Sequence, residues 1–221
     1  MKYYSQYEQD KIINEIYITN NRNGVFVDIG AHDGIFLSNS YFFEKHLGWK
    51  GICIEPNPDV FAKLKENRSC DCLNIGVNDI PGKVLFQKNS GYTETLSGII
   101  TQFDNEHVIR IQQENTEHSI CPEYIEIECD TLNNILDTHN YDIIDFMSID
   151  TEGSEYNILK DFNFNKYHIN LLCVELNYPQ SEKAQKIFSL LKDFFPSVMP
   201  IRQDFVFINN NLRFSYENNS T

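Results

Sequence analysis

Short apolar runs alternate with amphipathic stretches along most of the chain, the pattern of strands interleaved with helices. The first run, Val25-Phe26-Val27-Asp28-Ile29, passes at once into Gly30 and Gly34 and then into a helical stretch over residues 37–46. Further strands are predicted over 51–55, 72–77, 145–150 and 171–177, with 198–202 and 205–208 as a closing antiparallel pair. Helices are predicted over 59–67, where Val60, Phe61 and Leu64 share a face, from 131 to 136 behind a capping Thr131, and over 182–194. Near the start, Ile12, Ile13, Ile16 and Tyr17 fall at helical spacing and predict a helix covering a sheet edge or the mouth of a site. Between 83 and 127 the pattern loosens. Short strands at 84–87 and 124–128 enclose a polar segment, 88–122, which reads as a substrate lid or a plain surface excursion.

Such a chain predicts an α/β fold, and its 221 residues fit one domain. Within 1–221, residues 1–23 are expected to form a helical cap and 216–221 a frayed tail. Composition narrows the function. A net charge of −14, from 18 basic and 32 acidic residues, repels a phosphate backbone and argues against nucleic acid. No apolar run is long enough to span a bilayer and the first residues carry no apolar leader, so a soluble, cytoplasmic protein is expected. The six cysteines lack C-x-x-C spacing and read as buried, reduced thiols.

In an open α/β sheet, ligands bind beyond the carboxyl ends of the strands. The acids at those ends are therefore the candidate chemistry. Asp28 and Gly30 close the first strand, and Glu55 closes the second, where a carboxylate accepts hydrogen bonds from both hydroxyls of a ribose. Asn78 and Asp79 follow the third strand, where an adenine edge is read. Asp150 and Glu152 follow the fourth, and Glu175 with Asn177 ends the fifth. The dinucleotide fingerprint G-x-G-x-x-G is absent.

Four segments taken together resemble FkbM-type methyltransferases: Ser5-Gln6-Tyr7-x-Gln9-Asp10; Val27-Asp28-Ile29-Gly30-Ala31-His32-Asp33-Gly34; Gly48-Trp49-x-Gly51 running into Ile54-Glu55-Pro56-Asn57; and Ser148-Ile149-Asp150-Thr151-Glu152-Gly153-Ser154-Glu155. Val174-Glu175-Leu176-Asn177 extends the match, and Glu8 departs from it where the motif usually carries glycine. The resemblance implies a class I methyltransferase, a Rossmann-like three-layer sandwich whose seven-stranded sheet is parallel except for its last strand. It implies S-adenosylmethionine as cofactor, with Asp28, Gly30, Ala31, His32 and Gly34 on the methionine side, Glu55 on the ribose and Asn78 and Asp79 bordering adenine. It implies a hydroxyl acceptor on a sugar, in a glycan or a glycosylated metabolite.

Methyl transfer to a poorly nucleophilic hydroxyl calls for a base or a metal. Asp150, Glu175 and Asn177 are expected to offer oxygens to Mg²⁺ or Mn²⁺. Without metal, His32 or Glu152 is the expected base, beside Asp150; a helix-capping Glu152 and a merely hydrogen-bonded His32 are the structural alternatives. Tyr4, Tyr7 and Tyr92 are candidate acceptor-site groups, because aromatic faces with hydroxyl tips suit sugar rings. Two other functions compete: a nucleotide-sugar or NAD-linked enzyme on a Rossmann-like fold, and a binding module that kept the fold and lost catalysis.

Overall fold

The computed structural model describes residues 1–215; the tail expected at 216–221 lies outside the described residues. The chain opens with helix α1 (Gln9–Ile13), which continues as a π-helical stretch, Asn14–Ile18. That wider turn shifts the phase of the apolar face. Ile13 and Ile18 are buried while Ile16 points outward, so the expected Ile12-Ile13-Ile16-Tyr17 stripe does not hold.

Strand β1 (Val25–Ile29) leads through a loop to α2 (Tyr41–Leu47), then β2 (Lys50–Ile54), α3 (Pro58–Asn67) and β3 (Asp71–Leu73). Helix α2 starts later than the apolar pattern over 37–46 suggested, because residues 33–40 form turns in which Leu37 adopts φ 56°. The expected third strand is divided. Asp71–Leu73 stays in the main sheet, whereas β4 (Gly76–Val77) joins a second one with β5 (Gly82–Lys88), β6 (Gly98–Ile99) and β7 (Glu123–Asp130). The long segment thus contains two 3₁₀ turns, β6 and a helix, α4 (Asn105–Glu117). Alternating α5 (Leu132–His139), β8 (Ile143–Ile149), α6 (Glu155–Lys160), β9 (His168–Glu175) and α7 (Glu182–Leu191) follow, then β10 (Ser197–Ile201) and β11 (Asp204–Ile208).

The main sheet has the order β10-β11-β9-β8-β1-β2-β3. All its pairings are parallel except those of β11, antiparallel to both β9 and β10. Central strands of such a sheet are covered on both faces and so read as continuous apolar runs; β8 is buried from Ile144 to Ile149. Two hydrophobic clusters fill the faces, one around Ile29, Met147, Leu172 and Ile187, the other around Phe26, Phe43, Trp49 and Phe146. A third, around Phe86, Ile99 and Ile127, lies in the small sheet. The six cysteines are free thiols, with Cys53, Cys129 and Cys173 buried. Among the described residues no helix is long and apolar enough to cross a membrane.

Candidate active site

A cavity of about 190 Å³ opens at the carboxyl ends of β1, β2, β8 and β9. Its first wall is the turn after β1. Gly30 takes φ +83°, and a Cβ there would stand 1.7 Å from the backbone oxygen of Asp150, so only glycine lets β1 and the β8 end close together. The amides of Gly30 and Ala31 both donate to the Ile54 carbonyl, at 2.9 and 3.1 Å, folding the loop across β2. His32, at φ 50°, turns its amide onto Glu55 Oε2 at 3.0 Å, and the Asn57 amide donates to Glu55 Oε1 at 2.8 Å. Glu55 is thereby fixed by two backbone donors at the cavity wall. Burial pushes its carboxyl up to about 7.

The His32 ring belongs to this end of the cavity. Its Nε2 lies 3.1 Å from Glu94 Oε1, a residue of the inserted segment. Gly34 is not part of the lining. It packs against Leu64 and Arg68, and its carbonyl accepts from Arg68 Nη1 at 3.1 Å. Arg68, whose role sequence reasoning missed, is fully enclosed: it pairs with Glu44 and donates from Nη2 to Ser40 Oγ at 3.0 Å, while Ser40 in turn donates to Asp28. Burial raises the Asp28 carboxyl, with the Arg68 charge and Ser40 acting against that rise.

The expected adenine border is placed differently. Neither Asn78 nor Asp79 lines the cavity. Asn78 donates its amide to the Asp130 carbonyl at 3.0 Å, and Asp79 is paired with Lys160 at 2.5 Å. The break between β3 and β4 causes this, since it brings Ile75, Gly76 and Val77 to the wall instead, with Phe86 and Ile99 from the small sheet and Leu96 from the 3₁₀ turn before β6. Tyr4, Tyr7 and Tyr92 also lie outside the lining; Tyr92 is exposed and stacks on His118. Gln6 and Gln9, from the same N-terminal motif, reach the cavity instead, and Gln9 donates to Asp204 at 2.7 Å.

At the opposite end, Asp150, Glu152 and Glu175 each offer a carboxylate oxygen within 4.8 Å of the others. Asp150 and Glu175 stand side by side at the ends of β8 and β9. Burial pushes Asp150 up to about 7, and burial together with the charge of Asp150 raises both Glu152 and Glu175. Asn177 turns its amide nitrogen toward the acids, donating to Glu175 at 2.8 Å and to Glu152 at 3.2 Å. It therefore presents a donor where a metal ligand was expected, and Glu152 is the third acid of the set. Glu152 does not cap the following helix. Glu155, at the helix start, instead folds the preceding loop, its Oε1 accepting from the amides of Thr151 and Gly153 at 3.1 and 3.0 Å.

Sheet order, strand polarity and a cavity ringed by strand-end acids define a class I methyltransferase fold. The sequence model described as the methyltransferase FkbM domain matches residues 28–213, and the chain belongs to that family. The methyltransferase FkbM of Methylobacillus flagellatus KT shares the fold at 14% identity with a TM-score of 0.51, over 84% of this chain and 43% of its own. This chain thus spans less than half the length of that relative. A crystal structure of Aeropyrum pernix fibrillarin with natively bound S-adenosyl-L-methionine aligns at 11% identity and a TM-score of 0.45, over 92% of this chain and 73% of its own. No curated protein matches the sequence.

Proposed function

We propose that this chain is an S-adenosylmethionine-dependent O-methyltransferase acting on a sugar hydroxyl, in a glycan or a glycosylated metabolite. The observation that carries the reading is Glu55: a buried acid at the tip of β2, facing the cavity, with each oxygen oriented by a backbone amide. That arrangement suits a vicinal diol, whose two hydroxyls donate to one carboxylate. Apolar Ile75, Val77, Phe86 and Leu96 beside it suit a flat base. A sheet end rich in carboxylates also suits a ligand that carries a sulfonium and an ammonium.

When bound, S-adenosylmethionine supplies a methyl group activated by its sulfonium. The chain holds the acceptor oxygen in line with that group and removes its proton. Glu152 is the proton acceptor in this reading, because Asn177 donates to its Oε2, His107 Nδ1 stands 3.3 Å from the same oxygen, and burial with the charge of Asp150 raises its proton affinity. His32, engaged with Glu94 beside Glu55, is assigned to the cofactor. Gln6, Gln9, Asn39 and Gln203 supply amides for acceptor hydroxyls. A second reading adds Mg²⁺ or Mn²⁺, favoured by the three converging acids; Asp150, Glu152 and Glu175 would hold it, and it would acidify the acceptor hydroxyl.

Calorimetric titration with S-adenosylmethionine, and separately with NAD, each with and without Mg²⁺, tests both readings. Sulfonium binding weakened about 100-fold in Glu55→Ala is expected, as for the loss of two charge-assisted hydrogen bonds. Binding of NAD alone would instead favour a dinucleotide enzyme, and binding of neither a non-catalytic module.

A further inference from the structure

Glu152 sits in a left-handed backbone conformation, φ 56°, which a non-glycine residue adopts only when its surroundings hold it there. Two side chains meet its carboxylate. Asn177, one strand away, donates to Oε2 at 3.2 Å. The other is His107, whose Nδ1 lies 3.3 Å from the same oxygen and whose ring is only 3% exposed. His107 comes from α4, in the inserted segment, outside the alternating sheet-and-helix core. That helix is tied down close by: Lys183 forms an ion pair with Asp104 at 3.0 Å and donates to the carbonyls of Gln102 and Gly153 at 2.6 and 2.9 Å. Lys183 thereby anchors the start of α4 against the loop that carries Glu152, by two hydrogen bonds and one ion pair.

We propose that His107 is a positioning residue: from the inserted segment it sets the Glu152 carboxylate toward the methyl-transfer point, so that the insertion completes the catalytic end of the site. The proposal rests on the S-adenosylmethionine reading above. His107 faces Glu152 and not the cavity, so it acts through that acid.

Sinefungin, which has an amine where the donor carries its methyl, reports directly on the carboxylates at the transfer point; S-adenosylhomocysteine lacks that amine. In buffer freed of divalent ions, the native protein is expected to bind sinefungin about tenfold more tightly than S-adenosylhomocysteine. His107→Phe should bring that ratio close to one while leaving the affinity for S-adenosylhomocysteine unchanged. His107→Asn, which keeps a donor at the Nδ1 position, should preserve the ratio. A ratio that survives His107→Phe, that is absent from the native protein, or that His107→Asn loses equally, overturns the proposal. Hydrogen exchange of the unliganded protein gives an arm independent of cofactor. The amides of Thr151 and Gly153 should exchange at least about tenfold faster in His107→Phe and at the native rate in His107→Asn. Failure of the native protein to bind S-adenosylhomocysteine defeats the cofactor reading, and unchanged exchange in His107→Phe then defeats this one separately.

Discussion

The two ends of the cavity are built by different means. At the β1–β2 end, backbone answers side chain: the amides of His32 and Asn57 fix both oxygens of Glu55, and all three lie within one loop and one strand end. At the β8–β9 end, side chain answers side chain. Asp150, Glu152 and Glu175 converge, Asn177 donates to the two glutamates, and His107 stands against Glu152. Amides have no rotamers to lose, so the first end is preformed by chain path alone. The second depends on elements far apart in sequence agreeing on a position.

The largest way to break this arrangement is at the seam between the ends. Gly30→Ala places a methyl group against the Asp150 carbonyl oxygen and puts alanine at φ +83°. One of the two central strands must then shift. Unfolding in urea should show a loss of roughly 4 kcal/mol, with cofactor binding abolished in whatever remains folded. Alanine tolerated there at less than about 1 kcal/mol would mean that the two ends are not mechanically joined.

A smaller effect distinguishes the ends by pH. Glu55 and Asp150 keep their protons up to about 7 in the native state, and Asp204 up to about 6, whereas in the unfolded chain such groups titrate near their ordinary values around 4. Between those limits the native state binds more protons than the unfolded one, so stability falls as pH rises. His107, which burial holds down to about 4, opposes this between about 4 and the ordinary imidazole value of 6.5, one group against several. The unliganded protein should therefore be more stable to urea at pH 5 than at pH 8, the reverse of a protein whose carboxylates are salt-bridged. For Glu55 the rise from 4.5 to about 7 is worth on the order of 3 kcal/mol. Glu55→Gln should remove that share of the slope and leave the share from the β8–β9 end. An unchanged slope would show that Glu55 titrates normally.

Much of this was legible in the sequence, and the reason is local. Val25 to Ile29 followed by Gly30, and Ile52 to Glu55 followed by Pro56, announce strand and turn within a few residues, so the strand-end acids fell at the predicted edge. What was not legible is tertiary. Arg68 acquires its partners from Gly34, Ser40 and Glu44 only once α3 packs on the first loop. Helix α4 gave no apolar signal because its buried stripe is His107, Ile111 and Asn115, two polar residues out of three; hydrophobic periodicity cannot report such a face. A histidine four residues before a buried isoleucine and eight before an asparagine was the available hint, visible only after the helix is granted.

The smallest effect sharpens the cofactor end. Sequence position made Asp79 an adenine neighbour, yet in the structure it faces Lys160 across α6, with both side chains partly open to solvent. An ion pair in that setting contributes below about 1 kcal/mol, because water already stabilises both charges. Asp79→Asn should therefore lower stability slightly, an effect that salt screens, and should leave the calorimetric affinity for S-adenosylmethionine unchanged. The contrast with Glu55→Ala is the point of the measurement: both are acids expected at the ends of neighbouring strands, and only the one held by backbone amides at the wall should matter to the ligand. If Asp79→Asn weakens binding tenfold, the adenine reaches past Val77 to the Lys160 pair, and the small sheet must open from β4 to admit it.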